Sequence, residues 1–227
     1  TETLRVANGP PATALQILPG TQAPILPDLQ WAGGAVDSLV GQVFYLDFDG
    51  ASDVTYHGPV TVVGIGIPAF NLSASGLDGE EATVIDNVVA ALNARFSPVG
   101  VRFTSIEPSS DSRFATIYVG GRGTEFERYG AFWGLAESDR GNQSGSDMAL
   151  VFSERIPELF PSEASFQNAL VRTIAHEAGH LLGYVHGRSA HAEESPLAEF
   201  ANGNIQTQNI QLSGAFLGDV IKVDLSA

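Results

Sequence analysis

One stretch constrains this chain more than any other: His176-Glu177-Ala178-Gly179-His180-Leu181-Leu182-Gly183-Tyr184-Val185-His186. It reads H-E-x-x-H-x-x-G-x-x-H. Residues four apart on a helix share a face, so His176 and His180 can aim two imidazoles at one point. Neutral imidazole is a common zinc ligand, and a catalytic zinc takes three protein ligands and keeps one position open for water. Glu177 follows the first histidine and projects beside the metal, where a carboxylate can take a proton from that water. Gly183 is a place for the helix to stop, because glycine enters the left-handed conformation of a sharp turn without steric cost. The turn swings His186 back as a third ligand. A core helix carrying histidines by accident is the plainer alternative, but three of the chain's five histidines fall in this one stretch.

The rest of the chain supplies a frame for such a helix. Ser162 or Ser165 starts it, giving a zinc helix over about 165–183 whose core side is Phe166, Leu170, Ile174 and Leu181. A first helix is expected over Asp78–Phe96. Asp78 would cap it, Glu80 and Glu81 suit the positive end of its dipole, and Val84, Val88, Leu92 and Phe96 form its buried stripe. Short runs of branched and aromatic residues between turn residues predict strands at 42–49, 60–67, 101–106, 115–119, 131–136 and 148–152. Residues 1–40 are rich in Pro, Gly, Ala and Thr, which predicts an extended arm, a propeptide remnant or a strap lying on the domain. Residues 41–227 then form a single domain, with a β-rich C-terminal segment over 205–227 where apolar and polar residues alternate. The class is α+β: a twisted mixed sheet, two main helices above a metal cleft, and an irregular or β-rich C-terminal part.

Charge and composition exclude several functions. The formal net charge of −15 disfavours nucleic acid and anionic membrane surfaces as partners. No apolar run reaches the length of a membrane span. The absence of cysteine excludes disulfides and a thiolate metal site. The chain begins at Thr1 without a hydrophobic leader, which predicts a mature or trimmed form. Oxygen ligands cluster at Asp47 and Asp49, and again in the glycine-rich loop 138–147. Calcium is one reading of each, and a polar strand end and a solvated loop are the plainer ones.

The 176–186 stretch resembles the zinc-binding signature of the metzincins, the clan of zinc endopeptidases that includes astacins, serralysins and matrixins. The resemblance implies Zn2+ as cofactor, His176, His180 and His186 as its ligands, and Glu177 as general base. It also implies that Ala131–Ala136 is the edge strand above the cleft, with Phe132, Trp133, Gly134 and Leu135 along a bound substrate that adds to it as an extra strand. Phe132 and Trp133 read equally well as plain packing residues. By the same resemblance Asp37 is a candidate to cover the zinc of a latent form, as an aspartate does in astacin precursors, although a polar loop residue is the simpler reading. The chain departs from the clan in one respect. Metzincins carry a methionine in a tight turn beneath the metal, downstream of the third histidine, whereas the only methionine here is Met148.

The function this implies is a secreted, monomeric zinc endopeptidase acting on protein or peptide, and a cysteine-free acidic chain of this kind suggests a bacterial one. Two rivals stand beside it. In a thermolysin-like arrangement Glu199 would be the third ligand and Gly183/His186 accidental. Alternatively, a zinc-containing binding module would have lost catalysis, but it has no need of Glu177, and a closed structural site wants a fourth protein ligand.

Overall fold

The computed structural model describes residues 21–27, 29–75, 77–130, 132–137, 142–158 and 162–186, together with four short strands between 205 and 223; for His186 and those four strands only the backbone is described. In chain order the elements are β1 (Leu29–Trp31), β2 (Val43–Asp47), β3 (Ala51–His57), β4 (Thr61–Ile67), α1 (Glu81–Phe96), β5 (Arg102–Thr104), β6 (Ala115–Val119), β7 (Gly134–Ala136), β8 (Met148–Val151), α2 (Glu163–Leu182) and β9 (Tyr184–His186). Beyond them, β10 (Ile205–Thr207) pairs with β13 (Ile221–Val223), and β11 (Gln211–Leu212) with β12 (Ala215–Phe216), both antiparallel.

A five-stranded mixed sheet in the order β5-β2-β6-β8-β7 is the centre of the molecule. Four of its strands are parallel, and β7 closes one edge antiparallel to β8. Strands buried on both faces read as continuous apolar runs, and Met148-Ala149-Leu150-Val151 does so with all four residues buried. Successive side chains still go to opposite faces. Ala149 and Val151 join Phe44, Leu46, Ile117 and Val119 in the core beneath α1 and α2. Met148 and Leu150 go to a second core, where Tyr56, Val62, Ile65 and Ile67 of the β3/β4 hairpin cover the opposite face. The sheet therefore lies between two helices and a hairpin. Among the described residues no helix is long and apolar enough to cross a membrane.

Both helices begin close to their expected positions, for different reasons. α2 starts at a capping box, in which Ser162 accepts from the Ser165 amide while the Ser165 hydroxyl accepts from the Ser162 amide. α1 starts at Glu81 and not at Asp78, and its N-cap makes no side-chain bond. The Glu81 carboxylate instead accepts from the amides of Leu72 and Gly79, so a residue inside the first turn ties down the preceding loop. The stripe Val84, Val88, Leu92 and Phe96 is fully buried, as its spacing predicts.

The stretch before β2 is anchored at three leucines. Leu26, Leu29 and Leu39 are buried, and β1 pairs with β9. Residues 1–20 lie outside the described residues. Asp37 is exposed in a short 3-10 turn, Val36–Leu39, packed beside the turn that follows α1. The hairpin strand β3 has no counterpart among the expected strands. Its register with β4 shifts twice, and Asp53 takes a positive φ of 60°, so bulges blur the alternation that marks a strand.

Candidate metal centre

α2 carries the histidine pair on a helix of 20 residues whose last two turns are almost wholly enclosed. The rings of His176 and His180 have centroids 4.9 Å apart at an interplanar angle of 71°. Two imidazoles sharing one zinc at about 2.1 Å from each nitrogen would put their centroids roughly 5 Å apart. The spacing of the two rings is that of a pair sharing one ion.

The backbone fixes the His180 ring. Its Nδ1 lies 3.0 Å from the carbonyl oxygen of Tyr184. A carbonyl only accepts, so Nδ1 carries the proton and Nε2 of the neutral ring carries the lone pair. Metal-bound histidines are commonly oriented in this way by a carbonyl on the far ring nitrogen. The donor set and its support thus fit a zinc ion.

Glu177 is completely buried. Its carboxylate lies against the main chain of β7 at Gly134, where an added Cβ would come within 2.7 Å of the Glu177 Cδ. Only glycine leaves room for the carboxylate between the helix and the edge strand.

α2 ends where the motif requires. Gly183 is the C-cap with φ of 102°, and its amide donates to the carbonyls of Gly179 and His180. The chain then leaves as β9, bringing the backbone of His186 into register with Leu29. The side chain of His186 lies outside the described residues, as do His191 and Glu199. Among the described residues no group of three or more metal-ligating side chains stands together.

The stretch 132–135 is placed differently from the expectation. The strand covers Gly134–Ala136 only, and Ala131 lies outside the described residues. Phe132, Trp133 and Leu135 are core side chains, Phe132 and Leu135 on the hairpin face and Trp133 on the helix face. What this stretch can offer an extended ligand is main chain. The β7/β8 ladder takes the Trp133 carbonyl and the Glu137 amide. Alternation in an antiparallel pair then turns the N–H and C=O of Gly134 and Ala136 outward. The Tyr56 hydroxyl already donates to the Ala136 carbonyl at 3.0 Å.

Among the described residues, the other oxygen-rich places make hydrogen bonds within the protein. Asp47 Oδ1 accepts from the amides of Asp49 and Gly50, closing the turn after β2, and burial pushes its carboxyl pKa up. In the described part of loop 138–147, the Arg113 guanidinium donates to the Gln143 carbonyl at 2.6 Å and packs on Gly145. Met148 begins β8 in the core on the hairpin face, on the far side of the sheet from the histidines.

Tyr184 and Trp31 were given no role from the sequence, and Gly134 was picked out there for the substrate strand and not for the room it leaves Glu177. The roles of Tyr184 and of Gly134 follow from contacts made in the fold. Trp31 meets Tyr184 edge-on at 5.0 Å from a segment with no local marker of function.

Two imidazoles thus stand on one helical face, next along the helix to a buried carboxylate and ahead of a left-handed stop. No family model and no curated protein matches the chain. Among solved structures it is similar to the crystal structure of archaemetzincin from Methanopyrus kandleri. The identity is 11%, over 67% of this chain and 78% of that one, with a TM-score of 0.36. A likeness this remote carries no conclusion about chemistry.

Proposed function

We propose that this chain is a zinc-dependent endopeptidase of metzincin type, secreted and monomeric, that cleaves protein or peptide substrates. His176, His180 and His186 would hold the metal. Zinc bound there supplies a Lewis acid that acidifies water and polarises a peptide carbonyl. Glu177 accepts the proton of the attacking water and delivers it to the leaving amine. The outward main chain of β7 orients an extended substrate by strand addition. The Tyr184 carbonyl holds His180 in the tautomer that ligation needs.

The observation that carries this reading is the pair of imidazoles 4.9 Å apart on α2. The left-handed Gly183 favours His186 over Glu199 as third ligand, since a helix stopped there sends the chain back as β9.

The test is zinc content and cleavage of casein by wild type and Glu177→Gln. One zinc per chain in both proteins, with cleavage in wild type only, is the expected result. Wild type that binds no zinc overturns the proposal, and so does a mutant that cleaves as fast as wild type.

A further inference from the structure

β9 bears two of the proposed ligands' constraints at once. Its first residue, Tyr184, supplies the carbonyl that holds His180, and its last is His186. Yet β9 is not part of the central sheet. Its partner is β1, in the register Leu29↔His186, Gln30↔Val185 and Trp31↔Tyr184. A two-stranded pair in water is marginal by itself, so a ladder of three residues needs side-chain support.

That support comes from residues 24–27 and 29–31. The Trp31 ring meets the Tyr184 ring edge-on, with centroids 5.0 Å apart. The Tyr184 hydroxyl donates to the Pro24 carbonyl at 2.8 Å. Leu26 and Leu29 close over Gly179, between the glutamate and the second histidine of the motif. A Cβ on Gly179 would stand 2.6 and 2.8 Å from their Cδ1 atoms. The far side of the segment is tied to α1, where the half-buried Arg95 guanidinium donates to the Ile25 carbonyl at 2.9 Å. The segment is thus fixed to both helices and bonded along the strand that leaves the motif.

We propose that the segment formed by residues 24–27 and 29–31 is a working part of the metal centre. It clamps β9 so that Tyr184 orients His180 and His186 reaches the ion, with Trp31 and Tyr184 as positioning residues. The inference rests on the zinc-peptidase reading above. It is opposite in sense to a removable or inhibitory arm, because taking this segment away would weaken the site and not expose it.

The experiment uses the full chain with Trp31→Ala or Tyr184→Phe, beside His186→Ala and a remote core variant, Phe103→Leu. Zinc affinity is measured by chelator competition, the cobalt-substituted proteins are compared by visible absorption, and metal-free stability is followed by circular dichroism. Loss of a group that orients a ligand typically weakens metal binding by about 10–100-fold. Trp31→Ala is expected in that range, with a cobalt spectrum moved toward that of His186→Ala. Phe103→Leu is expected to lose stability while keeping wild-type zinc affinity and spectrum. Should Trp31→Ala not fold, Tyr184→Phe decides, since it removes a single hydroxyl and is expected to bind zinc several-fold more weakly. Clamp variants that keep wild-type affinity and spectrum overturn this inference alone. Wild type without zinc overturns the peptidase reading and this inference with it.

Discussion

Gly134→Ala tests whether the carboxylate of Glu177 works from the place it occupies. The new methyl would lie 2.7 Å from both Cγ and Cδ of Glu177, and closer still to Oε1. Ordinary carbon contacts begin near 3.5 Å, so something must move by roughly 1 Å. Glu177 is wholly buried and has no solvent to swing into, while the β7 backbone is laddered to β8 on its other side. The carboxylate is therefore the group that shifts. A misplacement of about 1 Å at a reacting group costs on the order of 10²-fold in rate, or about 2.7 kcal/mol of transition-state stabilisation. The assay is kcat/KM on a quenched fluorescent peptide, with zinc content measured on the same samples. The expected result is a fall of about 100-fold with zinc retained. Gly66→Ala is the control, since a Cβ at Gly66 meets nothing within 4 Å. Full activity in Gly134→Ala would refute the reasoning. Equal loss of zinc and activity would show that the alanine disturbs the helix and not the base.

Two other perturbations act on the frame. At Gly183 the φ of 102° is outside the range an alanine adopts comfortably, and forcing it there costs about 1–3 kcal/mol. Thermal unfolding of metal-free Gly183→Ala should show a midpoint at least about 2 °C lower, and an unchanged midpoint would mean that the turn is not held as described. Asp47 is 9% exposed, and burial raises its pKa above the ordinary 3.8. The folded protein then holds the proton more tightly than the unfolded chain, so stability falls as pH rises from 3.8 through the raised value. Asp47→Asn keeps the Oδ1 acceptor and removes the buried charge. It is expected to unfold at a higher temperature than wild type at neutral pH, with the gain vanishing below pH 3.8; a lower midpoint at neutral pH would sink the argument.

Local signals in the sequence located much of this architecture. The spacing of Val84, Val88, Leu92 and Phe96 marks α1, and Met148–Val151 reads as a buried strand, because each pattern sits within one element. Helical periodicity puts His176 and His180 on one face, and the motif adds Glu177 beside the first of them. What was illegible is carried by contacts between distant segments. The Tyr184 hydroxyl and the Pro24 carbonyl lie 160 positions apart, and no periodicity in a Pro- and Gly-rich stretch announces that it will pair with β9. The hairpin strand β3 was hidden by its bulges. Phe132 and Trp133 were ambiguous for a related reason, since an aromatic residue beside a cleft and one beneath a sheet look alike until burial is known.

The glycines around the motif show how far its spacing reaches. The sequence pattern demands Gly183 alone, because the chain must turn there. Gly179 and Gly134 answer to what approaches α2 from outside: the leucines of the clamp at one and the helix's own glutamate, meeting the edge strand, at the other. Each substitutes a missing Cβ for a gap of an ångström or so. An alanine at Gly179 would gain up to about 1 kcal/mol of helix propensity, but overpacking against Leu26 and Leu29 costs about 1–3 kcal/mol. The position is glycine against its own helical preference. Glu177 and the helix that carries it are therefore placed by the absence of side chains at Gly134 and Gly179 as much as by the contacts they make, and that part of the design lies in tertiary approach, where a motif written along one strand of sequence has no symbol for it.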